Sequence, residues 1–113
     1  MKSLNSGNAE SLCRPIIENI LIAHDQADQS LLYGQLPELI NMLSREDFEE
    51  AVQNLKSLGK TTEVIYLGHL NKVDEHLVVW KVRYSDSQEE LLWSLNLADS
   101  ENGLVVNGLL FDR

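Results

Sequence analysis

Three histidines and two tryptophans are the residues of this chain whose types and spacing bear most on chemistry. His24 stands beside Asp25 and four residues before Asp28, a grouping suited to proton transfer or to half of a metal site. A structural metal needs three or four converging ligands, and one helix supplies at most two. The plainer reading is a histidine near the C-terminal end of a helix, where the dipole favours a partly cationic ring. His69 and His76 flank a predicted hairpin loop that contains Asp74 and Glu75. Strict alternation puts them on opposite faces, which argues against a shared ion. Tyr33, Tyr66 and Tyr84 each bring a hydroxyl able to orient a ligand or to point at solvent from the edge of a packed ring.

Trp80 and Trp93 lie in VVWKVRYSDSQEELLWSL, residues 78–95, which reads as two strands folded about Asp86-Ser87. Counting outward from that turn pairs Arg83 with Glu90, Val82 with Leu91 and Trp80 with Trp93. The opposite charges of Arg83 and Glu90 favour this register over a one-residue slip, which would turn every side chain to the other face. Two rings side by side either fill the space between sheet and helices or line a cavity for a small apolar ligand.

The elements that must position these residues follow from periodicity. Residues 1–8 are polar and expected to fray, leaving residues 9–113 as one domain. From about residue 10, Cys13, Ile16, Ile17, Ile20, Leu21, His24 and Ala27 follow the three-and-four spacing of an amphipathic helix. Proline is tolerated in a first helical turn, so this helix is expected to begin only a few residues before Pro15. Residues 28–43 predict one or two short helices, the second starting at Pro37 and carrying Leu39, Ile40, Met42 and Leu43. Ser44 with Asp47 resembles a capping box for a third helix. Its stripe is Phe48, Ala51, Val52, Leu55 and Leu58, with Gly59 as the stop.

After Gly59 the period becomes two, with strands expected at about 61–70, 76–85, 88–97 and 104–111. The links are short: Asn71–Glu75, Asp86-Ser87, and Ala98–Gly103 with its Asn102-Gly103 turn signal. Short links mean antiparallel neighbours and a meander. Too few residues follow Asn107-Gly108 for a further strand, so a bulge or bend is expected there. One sheet face then carries Val64, Tyr66, Gly68, Val78, Trp80, Val82, Tyr84, Leu91, Trp93, Leu95 and Leu97 and should receive the helices. The other carries Ile65, Leu67, Leu77, Val79 and Leu92, ringed by Lys81, Arg83, Glu63 and Glu90. An apolar patch of that kind on a soluble protein marks an interface.

Helices followed by a four-stranded antiparallel meander, curved and covered on one face, make an α+β roll. The long first helix, the segment PELINMLSREDFEEAVQNLKSLG, the strands VVWKVRYSDSQEELLWSLNL and the ending GLVVNGLLF resemble small proteins of the nuclear transport factor 2-like superfamily. The resemblance covers roughly residues 9–111 and implies a cystatin-like cone of helices wrapped by a curved sheet. It also implies sheets paired across a two-fold axis, here a homodimer through Ile65, Leu67, Leu77, Val79, Lys81 and Leu92. A pocket in the mouth of the cone is implied too, here with Trp80, Trp93, His24 and Tyr66 as its candidates. Enzymes of that superfamily place carboxylates in the cavity, and the inward face offers only Glu89, beside the turn.

Composition narrows the partners. Eighteen acidic residues against nine basic ones give a net charge of −9. That balance disfavours phosphate backbones and anionic membranes alike. Cys13 is the only cysteine, so no internal disulfide or thiolate metal cluster can form. No Ser-His-Asp order, glycine-rich phosphate loop or zinc spacing occurs, and no cofactor is implied. The opening residues lack the apolar run of a signal peptide, which predicts a cytoplasmic protein. The expectation is therefore a non-enzymatic interaction module, with a small-ligand cone or a cavity enzyme as the alternatives.

Overall fold

The computed structural model describes residues 4, 5, 7–35, 44–100 and 103–112. Among the described residues three α-helices precede a four-stranded antiparallel sheet: α1 (Ala9–Asp25), α2 (Gln29–Gln35), α3 (Arg45–Leu55), β1 (Thr61–Lys72), β2 (Glu75–Tyr84), β3 (Glu90–Ser100) and β4 (Gly103–Phe111). The strands lie in sequence order, as a meander. The helix expected from Pro37, with Leu39, Ile40, Met42 and Leu43, falls outside the described residues, as does the side chain of Tyr33.

The buried stripe of α1 is Ala9, Cys13, Ile17, Ile20, Leu21, Ala23 and His24. Its start differs from expectation. Leu4, within the segment expected to fray, is buried in the core, and the Ala9 N–H bonds the Asn5 carbonyl at 2.9 Å. Pro15 therefore falls in the second turn and denies the Ser11 carbonyl its helical donor. Both residues are exposed, so water can reach that carbonyl.

The other end of α1 closes without glycine. Asp28 N–H reaches the Ala23 carbonyl at 2.9 Å and Ala27 N–H reaches the His24 carbonyl at 3.1 Å, the paired bonds of a Schellman cap. Ala27 holds the left-handed position at φ 52°, exposed and outside the helix rather than on its apolar stripe. A Cβ in that conformation is strained, so Ala27→Gly is expected to raise stability by ~1 kcal/mol, measured as a higher urea midpoint.

The Ser44 hydroxyl caps α3 by accepting the Asp47 N–H at 3.1 Å. Phe48 and Leu55 are buried. A 3-10 turn (Lys56–Leu58) then carries Leu58 into the core and ends at Gly59, φ 85°.

The sheet keeps the β2–β3 register read from the sequence: Arg83↔Glu90, Val82↔Leu91 and Trp80↔Trp93. The ladder stops there, because Ser85 N–H is drawn to the Lys60 carbonyl at 2.8 Å and Glu89 N–H to the Ser87 hydroxyl at 2.9 Å. The first hairpin is tighter than expected, with Lys72 paired to Glu75 about Val73-Asp74. The Asn102-Gly103 turn is described only from Gly103, which pairs with Ser100.

Two bulges shape the rest of the sheet, one expected and one not. One is the irregularity expected at Asn107-Gly108: Asn107 is the extra residue of β4 between Asn96↔Gly108 and Leu97↔Val106. Another inserts Leu67 between Tyr66↔Trp80 and Gly68↔Val79. One extra residue reverses the alternation beyond it. Gly68 therefore lies on the outer face beside Val79, and His69 on the inner face beside Val78, each opposite to expectation.

Between sheet and helices sits one core in which Cys13, Ile17, Ile20, Phe48 and Leu58 join Val78, Val82, Leu91, Leu95 and Val106. Burial pushes the Cys13 thiol up to about 11.

Candidate functional site

Trp80 and Trp93 face the helices and are fully buried. The Trp93 indole N–H donates to the Tyr84 hydroxyl at 3.0 Å, and its ring stacks on Phe111 at 4.7 Å. Tyr66 meets the Trp80 ring edge-on at 5.3 Å, and the Arg14 guanidinium lies 5.2 Å from the same ring. Among the described residues the Trp80 indole N–H has no hydrogen-bond partner. The tryptophans are thus packed into the core, and the open volume lies elsewhere.

One such volume, the one that His24 lines, is a cavity of about 380 Å³ between the C-terminal end of α1, the end of α3, the start of β1 and the end of β2. Leu21, Val52 and Leu55 form its apolar wall, and His24, Asp25 and Lys60 bring polar groups to it. Of the pocket candidates His24, Tyr66, Trp80 and Trp93, only His24 lines it.

His24 is held firmly. Its Nδ1 lies 2.8 Å from the Ile20 carbonyl, which can only accept, so Nδ1 carries the proton and Nε2 the lone pair. Phe48 lies 4.8 Å from the imidazole and Trp93 meets it edge-on at 5.4 Å. Burial holds its pKa below the ordinary histidine value and outweighs the bond to Ile20 and the nearby Asp25. The partly cationic ring expected from the helix dipole is therefore not what the site favours: desolvation overrides an end effect.

Asp25 adjoins it at the end of α1. Its carboxylate accepts the Thr61 N–H at 3.2 Å and the Thr61 hydroxyl at 3.2 Å, joining the helix to β1. Desolvation raises its pKa, against the lowering effect of the Thr61 bonds and the Lys60 charge. The Lys60 ammonium donates to the Asp25 main-chain carbonyl. Sequence reasoning sought an acid on the inward sheet face and found Glu89, which is exposed. The buried-side carboxyl comes instead from a helix end, and its adjacency to His24 was the available signal.

These shifts have opposite consequences for stability. A depressed histidine means that the folded state binds fewer protons than the unfolded chain, so His24's contribution is complete above ~6.5, the ordinary histidine pKa, and is lost as pH falls through its lower folded value. A raised carboxyl has the reverse sign: Asp25 opposes folding above its folded pKa and ceases to do so as pH falls through it. Urea midpoints are expected to decline from pH 7 toward pH 5 in the native chain and to decline less in His24→Gln.

The outer sheet face has the composition read from the sequence, with two additions. Rows across the strands run Leu70–Leu77–Asn96–Gly108, then Gly68–Val79–Ser94–Leu110, then Ile65–Lys81–Leu92, then Glu63–Arg83–Glu90. Leu67 is 50% exposed, Leu92 41%, Leu70 46% and Leu110 65%, while Ile65, Leu77, Val79 and Lys81 are half-buried. Leu70 joins this face because of the Leu67 bulge. Arg83 bonds Glu90 at 2.6 Å and lies 3.5 Å from Glu63, and Lys81 lies 3.8 Å from Glu90.

At the far end of the sheet the bulge brings His69 Nε2 to 3.0 Å from His76 Nδ1, with the rings stacked. The two share a face, contrary to the alternation argument. Burial and the neighbouring His76 lower the pKa of His69. Among the described residues no group of three or more His, Cys, Asp or Glu could hold a metal ion. No described helix is long and apolar enough to cross a membrane.

Compared with known proteins, the chain matches no family model, no curated protein and no solved structure.

Proposed function

We propose that this chain is a non-enzymatic interaction module of the nuclear transport factor 2-like kind, a cystatin-like roll that pairs with a second copy of itself through its outer sheet face. The observation that carries the reading is the set of leucines left open to solvent on that face, Leu67, Leu70, Leu92 and Leu110, while Val78, Trp80, Val82, Leu91, Trp93, Leu95 and Leu97 on the opposite face are buried. Charge supports a second copy as the occupant. The chain as a whole carries −9, whereas this face balances Lys81 and Arg83 against Glu63 and Glu90. Two copies can therefore meet there without net repulsion, and a two-fold axis lets the charges exchange partners. Four strands ~4.8 Å apart and ~30 Å long present roughly 600 Å² per copy. A standard interface buries ~800 Å² per partner, so this face falls at the low end of the range, where weak, reversible association is common. A single unpaired cysteine suits a reducing compartment, and the cytoplasm fits this reading.

Light scattering across micromolar concentrations tests the proposal. The native chain is expected to approach twice its monomer mass, and Leu67→Asp to stay monomeric with unchanged thermal stability, because half of the Leu67 surface is already exposed. A native chain that is monomeric throughout would overturn it.

A second reading concerns the cavity at the end of α1, as a small-ligand site. The specific observation favouring it is His24, 6% exposed, with an acceptor nitrogen that no described residue bonds.

A further inference from the structure

We infer that the cavity beside His24 takes a small carboxylate whose apolar body ends in a hydroxyl, with the hydroxyl donating to His24 Nε2 and the carboxylate lying between Lys56 and Lys60. This rests on the ligand reading of the cavity and adds the chemical class of its occupant.

The inner end sets the first requirement. The proton on Nδ1 is committed to the Ile20 carbonyl, so the ring can only accept at Nε2. His24 lines the cavity and its Nε2 is not among the sealed, unpartnered atoms, so a ligand hydroxyl can reach it and donate in place of water. A carboxylate there would face a lone pair and gain nothing. The walls set the second requirement: Leu21, Val52 and Leu55 favour an apolar body. A cavity of about 380 Å³ lies at the small end of the range that ligand sites occupy.

The mouth sets the third. Lys56 and Lys60 both line the cavity and are exposed, while Asp25, the one carboxylate among the described lining residues, is occupied by Thr61. In a chain of net charge −9, two lysines against one carboxylate among the described lining residues is a balance that favours an anion there. Asp25 also ties the frame together: its bonds to Thr61 and the Lys60 bond to its carbonyl join α1 to the start of β1, and His24 and Lys60 both line the space between.

Three probes separate the parts: 4-hydroxyphenylacetate, phenylacetate, which lacks the hydroxyl, and methyl 4-hydroxyphenylacetate, which lacks the charge. Each is titrated into the whole chain by calorimetry, with the His24 ring followed by nitrogen-15 NMR. 4-Hydroxyphenylacetate is expected to bind and to shift the Nε2 resonance. Loss of the hydroxyl should weaken binding ~10-fold, the worth of one hydrogen bond. Loss of the charge should weaken it several-fold at low salt, and that difference should shrink as salt is added. Lys56→Gln, at an exposed position, should reproduce the effect of the methyl ester. If all three probes bind equally, the cavity is a ligand site but the assigned class is wrong. If none binds at millimolar concentration and the His24 resonances do not move, the ligand reading itself falls.

Discussion

Trp93→Ala is expected to lower the unfolding free energy by ~3–5 kcal/mol, the range for removing a large buried aromatic from a packed core. A domain of this size is stable by only ~5–15 kcal/mol, so much of the population would be close to unfolding. The expectation rests on what the ring touches. Trp93 is fully buried, stacks on Phe111, meets His24 edge-on and donates to the Tyr84 hydroxyl. The decisive comparison is with the neighbouring tryptophan. Trp93→Phe keeps most of the apolar surface but loses the donor to Tyr84, at a cost of ~1–2 kcal/mol beyond that of the lost volume. Trp80→Phe loses no hydrogen bond, because its indole N–H has no described partner. Urea unfolding should therefore rank Trp80→Phe above Trp93→Phe, and both well above Trp93→Ala. The reverse order for the two phenylalanine variants would mean that the Trp93–Tyr84 bond contributes nothing.

The second large effect is expected at Gly59→Ala, a destabilisation of ~2–4 kcal/mol from backbone strain and steric displacement together. Gly59 has φ 85° and ψ −147°, a conformation that side chains rarely adopt. A Cβ there would run into the Ser85 hydroxyl and lie 2.7 Å from the Asp86 carboxyl carbon. Those neighbours are in place for a reason. Lys60 N–H donates to the Ser85 hydroxyl at 3.0 Å, and Asp86 N–H to the Leu58 carbonyl at 2.8 Å, so the β2–β3 turn is docked on the bend after α3. Pushing it away also disturbs Tyr84 and Lys60 at the cavity. Thermal unfolding of the variant would check this, with a shift of less than a few degrees counting against it.

Much of the architecture was legible in the residues. A period of two, a favourable Arg83–Glu90 pair and a turn at Asp86-Ser87 were enough to align β2 with β3 residue for residue. The three-and-four stripe of α1, the Ser44 cap and the Gly59 stop marked the helices, because each is a relation between residues a turn or less apart. The candidate cavity was legible only at His24. Tyr66, Trp80 and Trp93 point to the expected side of the sheet, but that side is filled where they stand.

The chain by itself therefore determined directions: which residues of β2 and β3 look toward the helices, which partner each strand takes, and where α3 is capped. These follow from local stereochemistry, in which a side chain's orientation repeats with the backbone. Tertiary structure alone decided separations. The extra residue at Leu67, the face on which His69 lies, the space among Leu21, Val52 and Lys60, and the neutral state of His24 depend on how far packed elements stand from one another. Distance between elements is a sum over the whole core, and no short stretch of sequence contains it.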